Sequence, residues 1–173
     1  MATTFLALLA AECGKSWAAG TAGALVMSVI PAHIMRSVAG GFDNESFAVS
    51  ALCATFYFWC RALRDEKSWW WGAVTGVAYA YMVAVWGGYI FVLNMIGVHA
   101  AALVAFGQYS SSLHKAYTLW YVIGTFGATR VPVVGMQPFK SLEQLGPCVV
   151  FIAMQVAPER LPLSHACRGR PRA

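Results

Sequence analysis

Long apolar runs, each about the length of a bilayer crossing and separated by short polar breaks, dominate this sequence. They cover Ser16–Met35, Ser46–Leu63, Ser68 to about Trp86, about Tyr89 to Phe106, and about Leu113 to Val134. A helix crossing the hydrocarbon needs about 20 mainly apolar residues. Lipid offers no partner for exposed backbone N–H and C=O groups, so a crossing segment of this length must satisfy its own as a helix. Composition agrees. Hydrophobic residues make up 59% and charged residues 11%, against about 45–50% and 25% in soluble domains. The seven Trp and seven Tyr suit the membrane–water boundary. The expected fold class is therefore all-α: a polytopic transmembrane helix bundle with about five full spans and partial helices at both ends. The runs Phe5–Ala11 and Cys148–Ala157 are too short to cross. Pro31 falls near the far end of the first span, where neighbours can satisfy the carbonyl it frees. Residues 1–157 form the transmembrane region. Residues 158–173 are basic and rich in Pro, a composition that favours disorder.

Charge placement orients the bundle. One side of it receives Lys15, the Arg61/Arg64/Lys67 cluster, Lys115 and the basic tail; the other receives Arg36, Lys140 and Arg130. The richer side is the cytoplasmic one, which puts the break carrying Asp43 on the lumenal or exterior face. The net charge of +5 comes from no patch interleaved with stacking residues, so nucleic acid is excluded as a partner. The five cysteines have neither CxxC nor metal spacing. The opening run lacks the basic n-region of a cleavable signal. Gly20 and Gly23, Gly72 and Gly76, and Gly124 and Gly127 stand at helix-packing spacings, although each pair alone is a weak packing preference.

Only seven acids are present, and none falls at the middle of an expected span. Proton-coupled transporters usually place a carboxylate there, so an unrelated polytopic transporter is disfavoured. Asp65 and Glu66 share a basic loop, where solvation accounts for them. Asp43 and Glu45 stand two apart on an irregular loop, and two such carboxylates can converge on a hard divalent cation. The same residues also suit the start of the following helix, as an N-cap and a first-turn acid. Both readings can hold together. Arg36, seven residues earlier, either neutralises these acids or reaches the interface, or else contacts a phosphate or carboxylate in the same pocket. His99 and His114 have no second ligand at helical spacing and read as core or interface residues. Trp69-Trp70-Trp71 reads as an aromatic belt and Trp86-Gly87-Gly88-Tyr89 as a tight helix turn.

The stretch Ser37-Val38-Ala39-Gly40-Gly41-Phe42-Asp43-Asn44-Glu45, with Arg36 in front, closely resembles the second acidic motif of the catalytic (STT3-type) subunits of eukaryotic oligosaccharyltransferase. Tyr79 to Ile96, ending near His99, resembles that family's long helix-turn-helix stretch. Val134-Gly135-Met136-Gln137-Pro138 with Ser141 and Glu143 resembles a third segment. The likeness runs from about Ala2 to Gln155.

The resemblance implies a glycosyltransferase of protein N-glycosylation in the endoplasmic reticulum membrane, with its Asp43 loop on the lumenal side. Its donor is an oligosaccharide on dolichyl pyrophosphate, and its acceptor the Asn of an Asn-x-Ser/Thr sequon. Other oligosaccharyltransferase subunits are possible partners. By the resemblance Asp43 and Glu45 bind Mn²⁺ or Mg²⁺, and Arg36 lies in the same catalytic pocket. The family's earlier acidic motif, its later glutamate-bearing loop and its Trp-Trp-Asp-Tyr-Gly motif are not found here. The chain is thus expected to be a truncated fragment carrying part of the active site, with a catalytically inactive membrane fragment or scaffold as the alternative.

Overall fold

Each polar break becomes a helix end in the computed structural model, which describes residues 1–41 and 43–156. Helix α1 (Ala2–Gly14) stops at Lys15, whose φ of 49° reverses the chain. In α2 (Trp17–Val29), Ser16 is the N-cap and its Oγ accepts from Ala18 N at 3.2 Å. A short α3 (Pro31–Met35) and an irregular loop lead to α4 (Asn44–Arg64). A 3₁₀ turn (Ser68–Trp70) opens α5 (Trp71–Val85); Trp86-Gly87-Gly88 then makes the expected tight turn into α6 (Tyr89–Ala105). Last come α7 (Ser111–Arg130), α8 (Gln137–Lys140) and α9 (Leu142–Val156). No strand occurs among the described residues, which are all-α as expected. The 158–173 tail lies outside the described residues.

The span count expected from the sequence is not reproduced helix by helix. Among the described helices one, α4 with 21 residues, is long and apolar enough to cross a membrane by itself. The Ser16–Met35 run breaks at Ile30, which is extended (φ −64°, ψ 119°) because the following proline disfavours helical backbone there; Pro31 then starts a new helix at its first position. The third run gives its first three residues to the 3₁₀ turn. Helix α7 has 20 residues but carries His114, Lys115 and Arg130. The two end runs are longer than expected, 13 residues in α1 and 15 in α9.

Helices α4, α5 and α7 form the centre, α1 packs on α4 with α2 outside it, and α9 packs against α6. Trp59, Tyr79, Tyr117 and Trp120 fill the middle and are almost wholly buried. Their rings meet edge-on or tilted at centroid distances of 5.1–6.2 Å, the spacing aromatic pairs prefer. All three glycine pairs lie on helix seams: Gly20 and Gly23 let α2 close on α1, and the other four let α5 close on α7. Residues that are weak signals singly thus become collective once the helices meet.

Proline tolerance of the kind expected at Pro31 is found instead at Pro147, inside α9. Having no N–H, Pro147 frees the carbonyl of Glu143 four residues back, and Asn94 Nδ2 of α6 donates to that oxygen at 2.9 Å. Tyr117 Oη donates to the Pro147 carbonyl at 2.9 Å, and both residues are buried. Tyr117→Phe keeps the ring and leaves that carbonyl only its helical partner, so it should cost about 0.5–1.5 kcal/mol. Thermal melting in detergent checks this; an unchanged midpoint would mean that the bond contributes nothing.

Candidate functional site

The loop between α3 and α4 is shaped by its own residues. Arg36 ends α3, and Gly40 adopts φ +91°, a left-handed conformation that glycine takes at no steric cost. A Cβ on Gly41 would lie 2.8 Å from the Met35 carbonyl oxygen, so the chain doubles back closely over the end of α3. Asp43 then takes extended backbone (φ −129°, ψ 169°) as the N-cap of α4, its Oδ1 accepting from Asn44 N at 2.7 Å. Glu45 sits in the first turn, where the helix dipole favours an anion.

This geometry brings all three candidate residues together. Arg36 Nε lies 3.0 Å from Glu45 Oε2, and its Nη1 lies 3.8 Å from Asp43 Oδ2. The two carboxylates therefore already converge on one cationic group. Their side chains are 54% (Arg36), 54% (Asp43) and 36% (Glu45) exposed, so solvent screens the pairs and each is worth at most about 1 kcal/mol. A stronger ligand for any of the three displaces such pairs at little cost. The capping and ion-pairing readings of the sequence both hold here.

Two further residues fix the loop without having been singled out by the sequence. Ser46 Oγ donates to the Arg36 carbonyl, tying α4 to α3 across the loop. Asn44 Nδ2 donates to the Val85 carbonyl at 2.9 Å, docking the start of α4 on the end of α5. Asn44 stands inside the acidic motif, but its partner is 41 residues away and no local pattern announces it.

The other features sit elsewhere. Trp59 Nε1 donates to His99 Nδ1 at 3.0 Å, so His99, itself exposed, is an acceptor for a buried indole. His114 pairs with the Tyr109 hydroxyl at 2.9 Å. Lys115 Nζ stands 5.7 Å over the Trp69 ring, and Trp70 stacks on Trp71 at 4.3 Å. At the opposite end of α4 from the acid loop, Glu12 receives Arg61 at 3.2 Å and Arg64 at 2.6 Å, its own side chain only 9% exposed. Nothing in the local sequence marks Glu12 as the partner of two arginines about fifty residues on.

The family model for the N-terminal part of the oligosaccharyl transferase STT3 matches residues 2–158. The chain belongs to the STT3 family. The dolichyl-diphosphooligosaccharide–protein glycosyltransferase subunit stt3 of Schizosaccharomyces pombe is 44% identical over 142 residues, covering 82% of this chain and 19% of that protein. The corresponding subunit of Saccharomyces cerevisiae is 39% identical over 142 residues, covering 82% and 20%. That of Caenorhabditis elegans is 39% identical over 152 residues, covering 88% and 19%. The relatives are named as glycosyltransferases, and the chain spans about a fifth of their length.

As a metal site, the acid loop fits one type of ion. Asp43 and Glu45 offer exposed, hard oxygen donors already gathered on one cation. Among the described residues no third His, Cys, Asp or Glu joins them. Mg²⁺ is commonly held by one or two carboxylates together with waters and substrate phosphates, so two donors suit an ion shared with a phosphorylated substrate better than a closed structural site.

Proposed function

We propose that the chain forms part of an oligosaccharyltransferase, moving an oligosaccharide from dolichyl pyrophosphate to the Asn amide of an Asn-x-Ser/Thr sequon. The observation that carries this reading is the convergence of Asp43, Glu45 and Arg36 at the head of α4. The match to the STT3 family supports it. In this reading residues 1–157 belong to a multi-pass bundle in the endoplasmic reticulum membrane, with the Asp43 loop on the lumenal side. The opposite placement of the Asp43 loop and the basic Arg61/Arg64 end, at the two termini of α4, supports that orientation.

The residues divide the work by charge. Asp43 and Glu45 would hold Mn²⁺ or Mg²⁺, which when bound would supply positive charge against the negative charge developing on the pyrophosphate leaving group. Arg36, released from the carboxylates, turns its planar guanidinium to a phosphate oxygen, which it matches in shape and charge. Asn44 and Ser46 keep the loop on the ends of α5 and α3, so the three groups act from a fixed frame. With two acidic donors of its own, the chain contributes part of an active site. Alone, it acts as a membrane scaffold without transfer activity.

A chimera tests both statements. Residues 2–156 replace the matching segment of the fission-yeast subunit in cells depleted of their own. Restored glycosylation of a reporter glycoprotein is the expected result, and an underglycosylated reporter at normal chimera abundance would overturn the reading. The purified chain by itself, reconstituted with lipid-linked oligosaccharide and a sequon peptide, should give no glycopeptide. Measurable glycopeptide would reject the partial-site statement.

A further inference from the structure

We propose that Cys13 and Cys60 are a redox-closable pair whose disulfide locks the α1–α2 hairpin onto α4. The two sulfurs lie 4.0 Å apart, although the residues are 47 positions apart in sequence. Cys13 is in the last turn of α1 and exposed, whereas Cys60 is half-buried near the end of α4. A disulfide has its sulfurs at about 2.05 Å, so closure needs an approach of about 2 Å, the scale of a side-chain rotation.

The surroundings hold the pair in register. Glu12, next to Cys13, is gripped by Arg61 and Arg64, which follow Cys60 on its own helix, at 3.2 and 2.6 Å. Phe5 of α1 meets Phe58 of α4 edge-on at 5.9 Å. Both thiols line one cavity of about 620 Å³, shared with Lys15, Arg64 and His99, which gives a small oxidant access.

The closing step balances as ordinary thiol–disulfide exchange with a low-molecular-weight disulfide. The Cys13 thiolate attacks one sulfur of the small disulfide, forming a mixed disulfide and expelling one thiol. The Cys60 sulfur, losing its proton, attacks the Cys13 sulfur and expels the second thiol. Two protein thiols are oxidised and one small disulfide is reduced to two thiols.

The lock matters because of how the hairpin is attached. Helix α2 packs chiefly on α1 and α3, and α1 joins the rest of the bundle through α4. The segment enclosed between the two cysteines contains Arg36, Asp43 and Glu45. A bond at positions 13 and 60 therefore ties down the hairpin whose far end runs into the acid loop.

To test this, the full chain is purified in detergent, reduced, freed of reductant and incubated with oxidised glutathione. Peptides are then mapped by mass spectrometry without reduction. A Cys13–Cys60 peptide should be the main internal crosslink, absent in Cys13→Ser and in Cys60→Ser but kept in Cys53→Ser, Cys148→Ser and Cys167→Ser. In the unsubstituted chain, iodoacetamide labelling of Cys13 and Cys60 should fall together on oxidation and return together with dithiothreitol. Stable glutathione adducts without a crosslink would overturn the proposal. So would preferential pairing of Cys13 with another cysteine, or a Cys13–Cys60 yield no higher in the folded chain than in detergent-denatured chain.

Discussion

Asp43→Asn in the fission-yeast chimera should lower oligosaccharide transfer by about 100-fold or more, with little change in melting temperature. One preorganised group facing developing charge is worth about 10²–10³ in rate, and in the proposed site Asp43→Asn removes a group of that kind. The choice of asparagine separates the cap that Asp43 forms from the metal role proposed for it. As N-cap of α4, Asp43 accepts from Asn44 N at 2.7 Å, and asparagine caps about as well as aspartate. The cap thus survives while the negative charge is lost. Asp43→Ala loses both, and should add a stability cost of about 1 kcal/mol. Transfer assayed across a Mn²⁺ titration, beside thermal melting of each variant, reads the two effects apart. Full turnover in Asp43→Asn would leave Asp43 as a cap alone. Equal losses of stability and of transfer in both variants would say the same.

The second large effect is structural, and its sign is diagnostic. Glycine to alanine inside a helix normally stabilises by about 0.8–1.0 kcal/mol. At Gly72 it should instead destabilise. A Cβ there would run into the carbonyl oxygen of Ala116 and lie 2.8 Å from its Cα, both backbone atoms of α7 that cannot rotate away. Overpacking of this kind costs about 1–3 kcal/mol, and the α5–α7 seam is rigid enough to put Gly72→Ala at the upper end. The net loss should be about 2 kcal/mol once the propensity gain of roughly 1 kcal/mol is subtracted. Gly87→Ala is the control, since a Cβ there meets nothing within 4 Å; it should stay within about 0.5 kcal/mol. A melting midpoint for Gly72→Ala at or above that of the unsubstituted chain would show that α5 and α7 do not approach so closely.

Some helix ends were legible from local signals. Asp43 sits at the N-cap expected of it, its side chain accepting a backbone N–H, and Gly87-Gly88 separates two helices as expected. Helix lengths were less legible. Hydropathy carries Ser16–Met35 straight through Ile30, whereas the steric demand of Pro31 on the residue before it ends the helix there. Pro147 shows the reverse: a proline that should end a helix is tolerated, because Asn94 and Tyr117 come from α6 and α7 to meet the carbonyls around it.

What the sequence alone determined is the all-helical class, the family likeness and the candidate trio Arg36, Asp43 and Glu45, because an apolar run, a helix cap and a contiguous motif are each encoded within ten or twenty residues. Tertiary structure decided that one guanidinium faces both carboxylates. It also decided that Asn44 docks on Val85, that Glu12 holds two arginines, and that Cys13 meets Cys60. Those pairings depend on how helices cross. The central crossings are set by the α5–α7 glycine seam and by buried aromatic rings, whose partners on different helices lie about 40 to 60 residues apart, too far for any local pattern to specify.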